Sequence, residues 1–169
     1  MQHNYCGAFK NVRIRPLKKN DIEKLRVWRN DKRNSIHLSK IPYITEAMQL
    51  EWYEKYLNRE NEMVFAIEEC VEFNRMVGSL SLYDIKKEEC VFGKILIGDA
   101  DTRGHGIGTN ATKAALDVAT KQLGIGRVIL YVYKENEAAL GVYAHVGFKV
   151  IDEHCDSTGR TEYTMEYRR

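Results

Sequence analysis

Residues 95–109 read Ile-Leu-Ile-Gly-Asp-Ala-Asp-Thr-Arg-Gly-His-Gly-Ile-Gly-Thr. An apolar, strand-like start at Ile95–Ile97 gives way to a polar turn. Gly104, Gly106 and Gly108 then alternate immediately ahead of a helical pattern. Without Cβ atoms a backbone turns tightly and lets a bulky anion lie against its N–H groups. The mouth of a helix adds unpaired donors and a partial positive charge, so a pyrophosphate suits such a turn. Arg103 adds a charged donor beside it.

Three readings fit these glycines. One is a flexible loop whose glycines merely start a helix. A second is a dinucleotide fingerprint, because Gly106-Ile-Gly-Thr-Asn-Ala111 matches G-x-G-x-x-A. Against it, the strand ends near Ile97, too far upstream for a tight strand-to-helix turn, and little chain remains after Val132 for a second mononucleotide half. The third is Arg-x-x-Gly-x-Gly, Arg103 to Gly108, as a pyrophosphate loop of another kind.

Downstream, Ile107, Ala111, Ala114-Ala115, Val118-Ala119 and Leu123 recur at helical spacing, with Lys113, Asp117 and Lys121 opposite and Gly124 as a stop. Val128–Val132 is a continuous apolar run, as in a strand buried on both faces. Glu137–Val146 is predicted helical, with Gly147 at a left-handed C-cap, and Phe148–Ile151 and Tyr163–Tyr167 close the chain as strands. Upstream, Val12, Ile14 and Pro16-Leu17 alternate with arginines as a first strand. Asn20 or Asp21 is expected to cap a helix striped with Ile22, Leu25, Val27 and Trp28. Thr45 is expected to cap a second, carrying Leu50, Trp52-Tyr53, Tyr56 and Leu57. Met63–Ile67 and Met76–Leu82 read as a hairpin, and Val91–Ile97 as a third strand interrupted by Gly93. A meander followed by strand-helix pairs predicts one α/β domain over 1–169: a mixed sheet, largely antiparallel with a parallel βαβ portion, and helices on both faces.

Composition narrows the class. With 169 residues, 44% hydrophobic, 30% charged and 2 prolines, the chain is globular rather than disordered. A net charge of +2 gives no reason to expect nucleic acid or an acidic membrane surface as partner. Cys6, Cys70, Cys90 and Cys155 lack metal-ligand spacing, so neither a metal nor a disulfide framework is expected. No apolar run approaches the roughly 20 residues of a membrane span, and Met1–Cys6 lacks a secretory signal's apolar stretch. A reducing cytoplasm is the expected setting.

The segment from Ile95 to Val146 resembles the core of the GNAT N-acetyltransferases: strand, Arg-x-x-Gly-x-Gly, helix, strand, Asn, helix, Tyr and Gly-Phe, in order. Ile97-Gly-Asp-x-Asp-x-Arg-Gly-x-Gly-Ile-Gly-Thr109 is especially similar to the branch with ribosomal-protein-alanine and polyamine N-acetyltransferases. Ile14-Arg-Pro-Leu, Trp28-Arg-Asn30 and Trp52-Tyr53 resemble, more loosely, that branch and the nucleotide-sugar amine acetyltransferases. The resemblance implies an acetyl-CoA-dependent N-acetyltransferase acting on a primary amine. A protein N-terminus, a nucleotide-sugar amine and a polyamine or aminoglycoside stand as acceptors. A coenzyme-binding regulatory module without catalysis is the alternative, and a homodimer is implied as well.

By the same resemblance, Leu96, Ile97 and Gly98, on a strand splayed from its neighbour, hold the acetyl carbonyl and pantetheine arm. Arg103, Gly104, His105, Gly106, Ile107, Gly108 and Thr109 cradle the pyrophosphate, His105 through its backbone only. Tyr143 faces the coenzyme sulfur as general acid, although its place on the stripe Ala139, Val142, Tyr143 and Val146 equally suits a core aromatic. Asn136 reaches the pantetheine arm, is a plain N-cap, or both. Trp28, Arg29, Asn30 and Trp52 are acceptor-side candidates, with core packing the competing reading for the aromatics. Arg29 suits an anionic acceptor better than a polyamine. Glu88, Glu89 and Asp84 are weighed as bases without a motif to select one. His3, His37, His145 and His154 are expected at the surface.

Overall fold

The computed structural model describes residues 1–34, 42–156 and 158–169. Eight strands form one mixed sheet: β1 Gly7–Phe9, β2 Val12–Pro16, β3 Glu62–Glu69, β4 Arg75–Tyr83, β5 Glu89–Ile97, β6 Arg127–Tyr133, β7 Lys149–Cys155 and β8 Thr161–Arg168. Their spatial order is β1-β2-β3-β4-β5-β6-β8-β7, and only β5 and β6 pair in parallel. Among the described residues four α-helices join them: α1 Ile22–Asn30, α2 Glu46–Leu57, α3 Ile107–Asp117 and α4 Glu137–Val146. The predicted mixed α/β architecture is therefore the observed one. β1 escaped prediction because Gly-Ala-Phe is too short to show a period.

Alternation along β3 decides which helix covers which face. Met63, Phe65 and Ile67 point into a core shared with Ala111, Ala114 and Val118 of α3 and its extension, and with Tyr143 of α4. Val64 and Ala66 point the other way, against Leu25 of α1 and Tyr53 and Tyr56 of α2. Phe65 and Phe92 are fully buried, each worth about 1.5–3 kcal/mol over exposure. The alanines of α3 let it lie close on the sheet: a Cβ on Gly7 would stand 2.6 Å from the Ala114 carbonyl.

Local chemistry explains most boundaries. The Thr45 hydroxyl accepts from the Met48 N–H at 3.2 Å, as its N-cap position predicts. Gly147 closes α4 at φ 110°, and Gly124 takes φ 71° at the predicted stop of the long helix. Before that stop, Val118–Gln122 widens into a π-turn, which the apolar spacing did not foretell. Asp21 stands at the N-cap of α1, yet its carboxylate accepts instead from the Lys18 N–H at 2.8 Å and from Arg15 at 2.7 Å. Val27, expected in the α1 stripe, is 52% exposed, as is Leu50 of α2 at 37%. His3 is not at the surface: it is half-buried with Nε2 3.3 Å from the Val64 carbonyl. His145 and His154 are exposed as predicted, and His37 lies outside the described residues. No described helix is long and apolar enough to cross a membrane.

Candidate active site

The sheet opens between its two parallel strands. β5 and β6 pair only over Glu89–Val91 and Arg127–Ile129. Beyond that point a bulge bends β5. Ser81 faces Gly93 and Ser79 faces Leu96, so two residues, Lys94 and Ile95, stand against Leu80 alone. Lys94 takes φ 51° there, and a bulge of this kind bends and twists its strand. The second half of β5 swings from β6 and leaves Tyr131 48% exposed on a strand that the apolar run predicted buried on both faces. A cleft of about 920 Å³ occupies the gap, lined among others by Leu96, Ile97, Asn136 and Tyr143. A second hollow of about 630 Å³, edged by Lys86–Glu89 and Arg168–Arg169, lies at the opposite ends of the same strands.

Register fixes which main-chain groups face the gap. The Gly98 N–H donates to the Val77 carbonyl at 3.0 Å. Antiparallel alternation then directs Leu96 toward β4 and turns the N–H and C=O of Ile97 toward the opening. Gly98 is committed elsewhere. Its carbonyl accepts from Asn34 at 3.3 Å, and a Cβ on it would stand 2.2 Å from Cδ2 of Trp28. Of the three, Ile97 is the one whose main chain faces the opening. Leu96 lines the cleft, and Gly98 seats an indole.

The glycine turn follows directly. Asp99 caps a short 3-10 turn over Ala100–Thr102, and Arg103 leads into Gly104 at φ 83° and Gly106 at φ 70°, the left-handed N-cap of α3. Cβ atoms added at Gly104, Gly106 or Gly108 would meet nothing within 4 Å. The glycines are therefore not forced by packing. They leave open space in front of the first amides of α3, which have no intrahelical acceptors. Ile107 sends its side chain into the core, 2% exposed, so only its main chain belongs to the turn. His105 stacks edge-on against Phe73 at 5.1 Å and lies 3.2 Å from a Glu72 oxygen, which accounts for its side chain without any ligand. The Arg103 guanidinium donates to the Asn34 side chain and leaves its other N–H groups to solvent.

Asn34 is a residue that sequence reasoning missed. Buried at 9% exposure, it donates to the Trp28 carbonyl at 2.9 Å and to Gly98, and it accepts from Arg103. One amide therefore ties the end of α1, the end of β5 and the glycine turn together. Its only sequence signal was an asparagine just past a helix end.

Tyr143 is 7% exposed, edge-on to Phe92 at 6.0 Å and to Phe148 at 5.9 Å, and it also lines the cleft. It is both a core aromatic and part of the cleft wall. Burial pushes its phenol up to about 12, so it holds its proton throughout the neutral range. Asn136 caps α4 through Oδ1, which accepts from the Ala139 N–H at 3.2 Å. Its amide N–H groups remain for the cleft.

The acceptor-side candidates separate. Trp28 covers Gly98 and does not line the cleft, and the amide of Asn30 is consumed by reciprocal 2.9 Å bonds to Ile44. Arg29 and Trp52 do line it. Glu88 and Glu89 edge the distant hollow, with Glu89 held by Lys86 and Arg127, and Asp84 is an exposed turn residue outside the cleft. Among the described lining residues Glu162 of β8 is the only carboxylate. No cluster of three metal-ligating side chains converges among the described residues.

A sheet split between parallel strands, with a glycine turn at the mouth of the following helix, defines a class, and sequence comparison agrees. The family model described as Acetyltransferase (GNAT) domain matches residues 11–149, and the chain belongs to that family. It is 27% identical over 143 residues to the spermidine N(1)-acetyltransferase of Escherichia coli K12, covering 85% of this chain and 75% of that one. It is 26% identical over 155 residues to an N-acetyltransferase 9-like protein of Caenorhabditis briggsae, covering 86% and 76%. Among solved structures it superimposes on Vibrio cholerae spermidine N-acetyltransferase, in complex with CoA and spermine, with TM-score 0.83 at 20% identity over 94% and 95% of the two chains. A GNAT-family acetyltransferase of Bacillus anthracis gives 0.81 at 16% identity over 97% and 98%.

Proposed function

We propose that this protein transfers the acetyl group of acetyl-CoA to a primary amine brought into the cleft between β5 and β6. The observation that carries the reading is the conjunction of the open glycine turn with the split sheet. Amides free to bind a diphosphate lie at one end of a cleft whose wall holds a protonated phenol. Acetyl-CoA fits, because empty space stands where Cβ atoms would otherwise shield the α3 amides. When bound, it supplies a thioester acyl group and carries away a thiol.

The chain's own residues divide the work. Amides from Gly104 to Thr109 bind phosphate oxygens, and Arg103 adds charge from its solvent-facing N–H groups. Ile97 offers its main chain to the acyl and pantetheine groups, and Asn136 offers an amide N–H. Tyr143 holds a proton at its phenolic oxygen for the departing sulfur. Burial pushes that phenol up to about 12, so the proton is in place across the neutral range. Glu162 is placed to accept the proton the amine must lose, directly or through water. The setting is the reducing cytoplasm, consistent with four unpaired thiols. A homodimer is part of the reading, supported by exposed Val150 and Ile151 on the edge strand β7.

The test is calorimetric and kinetic. Acetyl-CoA should bind and NAD should not, and free thiol should appear only when an amine is added. Coenzyme binding with no turnover across a broad amine panel would make the protein a regulatory module instead.

A further inference from the structure

The acceptor end of the cleft carries more positive charge than its carboxylates neutralise. Arg29 of α1, Arg59 after α2 and Lys94 at the β5 bulge all line it. Glu62, at the start of β3 and 4% exposed, already binds both Arg59 and Lys94. Lys94 additionally lies over the Tyr83 ring at 4.5 Å, which fixes its ammonium there. Arg29 is left over. It is half-buried, it has no hydrogen bond or ion pair among the described residues, and it feels Glu62 only at long range. Desolvation lowers its pKa, so its charge is held at some cost. Guanidinium keeps its proton regardless, and a desolvated cation facing a cleft without a partner attracts an anion.

A polyamine is the wrong guest for this end. It brings several ammonium groups, and each needs a carboxylate once water is displaced. Among the described residues, Glu162 is the only carboxylate lining the cleft, and it lies across the gap on β8, 3.2 Å from His154. The charges sit asymmetrically, cation on the α1–α2 wall and anion on the β8 wall. That arrangement matches a molecule with an amine at one end and an anion at the other.

Resting on the acetyltransferase reading, we propose that the acceptor is a small-molecule amine bearing a carboxylate or phosphate, and that Arg29 selects it by binding that anion. The likeness to polyamine-acetylating enzymes then reflects the fold and the coenzyme turn rather than the acceptor. Arg29 is a specificity residue here, remote from the glycine turn.

Matched acceptors isolate the anion. Specificity constants would be measured for n-butylamine against 4-aminobutyrate, for glucosamine against glucosamine 6-phosphate, and for spermidine. At least one anionic member should exceed both its neutral partner and spermidine by about tenfold, the worth of one charge-assisted contact. The carboxylate and phosphate arms show which anion is preferred. Arg29→Gln should abolish most of that preference and Arg29→Lys should retain part of it, with acetyl-CoA affinity unchanged in both as evidence of folding. Preference for spermidine, equal rates within both pairs, a preference surviving in Arg29→Gln, or no turnover of any member while acetyl-CoA still binds would each overturn the assignment. Failure of the wild type to bind acetyl-CoA would instead remove the acetyltransferase reading beneath it.

Discussion

Replacing Tyr143 with phenylalanine separates packing from chemistry at one atom. The ring keeps its edge contacts with Phe92 and Phe148, so no cavity forms and the neutral-pH melting temperature should move little. The hydroxyl makes no hydrogen bond to any described residue and is not a sealed, unpartnered group, so none is orphaned by its removal. Loss of a positioned proton donor should lower kcat by about 10²–10⁴-fold, while the dissociation constant for acetyl-CoA changes less than about threefold. Steady-state thiol release with coenzyme calorimetry measures both. Linkage supplies a second readout. The folded phenol titrates at about 12 and the unfolded one near 10, so its contribution is fully present below pH 10. It is lost as pH rises toward 12. Two units correspond to roughly 3 kcal/mol. Tyr143→Phe should therefore resist alkaline unfolding better than the wild type between pH 10 and 12. Unchanged turnover in the variant would refute the proton-donor assignment, and unchanged alkaline stability would refute its burial.

Other perturbations test the parts around it. Gly106→Ala puts a side chain at φ 70° without a clash, so it should cost about 1–2 kcal/mol of stability and weaken acetyl-CoA binding at least tenfold, by calorimetry. Asn34→Ala strips donors from the Trp28 and Gly98 carbonyls. It should cost about 1–3 kcal/mol by chemical denaturation and raise KM for both substrates, because the two sides of the site share that amide. Arg15→Gln removes the partner that, with the Lys18 amide, outweighs burial and lowers the Asp21 carboxyl. Asp21 contributes stability above its ordinary value near 4, lost as pH falls through the depressed one, so the variant's acid-unfolding midpoint should move upward.

What was legible in the sequence follows from where each signal lives. The glycine turn could be read because alternating Gly104, Gly106 and Gly108 leave a compositional mark, and the helix after it because alanines recur at helical spacing. Caps were readable where the side chain itself makes the bond, as at Thr45 and Asn136. Asp21 escaped because its carboxylate serves Arg15 and Lys18, partners that only the fold assembles. The split of the sheet left one faint trace, the interruption of an apolar strand at Gly93, since a bulge is a register event that any sequence around it obscures.

Acceptor-side residues were least legible for a related reason. Trp28, Arg29 and Asn30 are adjacent in sequence, yet α1 rotates them about 100° apart. Trp28 meets Gly98, Asn30 meets Ile44 and only Arg29 meets the cleft. Adjacency in sequence is separation on a helix. Besides its near neighbours Leu25 and Asn34, the cleft around Arg29 is lined from α2, the β5 bulge and β8, elements far from it in sequence. Their charges compose a field that no local window contains. The proposed diphosphate cradle is one contiguous turn, whereas the cleft wall around Arg29 is drawn from α1, α2, the β5 bulge and β8. That difference explains why a chain can display its chemistry openly and keep its substrate in the tertiary structure. On the proposed reading, acceptor choice can drift by a single substitution at cleft-facing Arg29, while the turn from Arg103 to Thr109, bound to its geometry by two left-handed glycines, cannot change piecemeal.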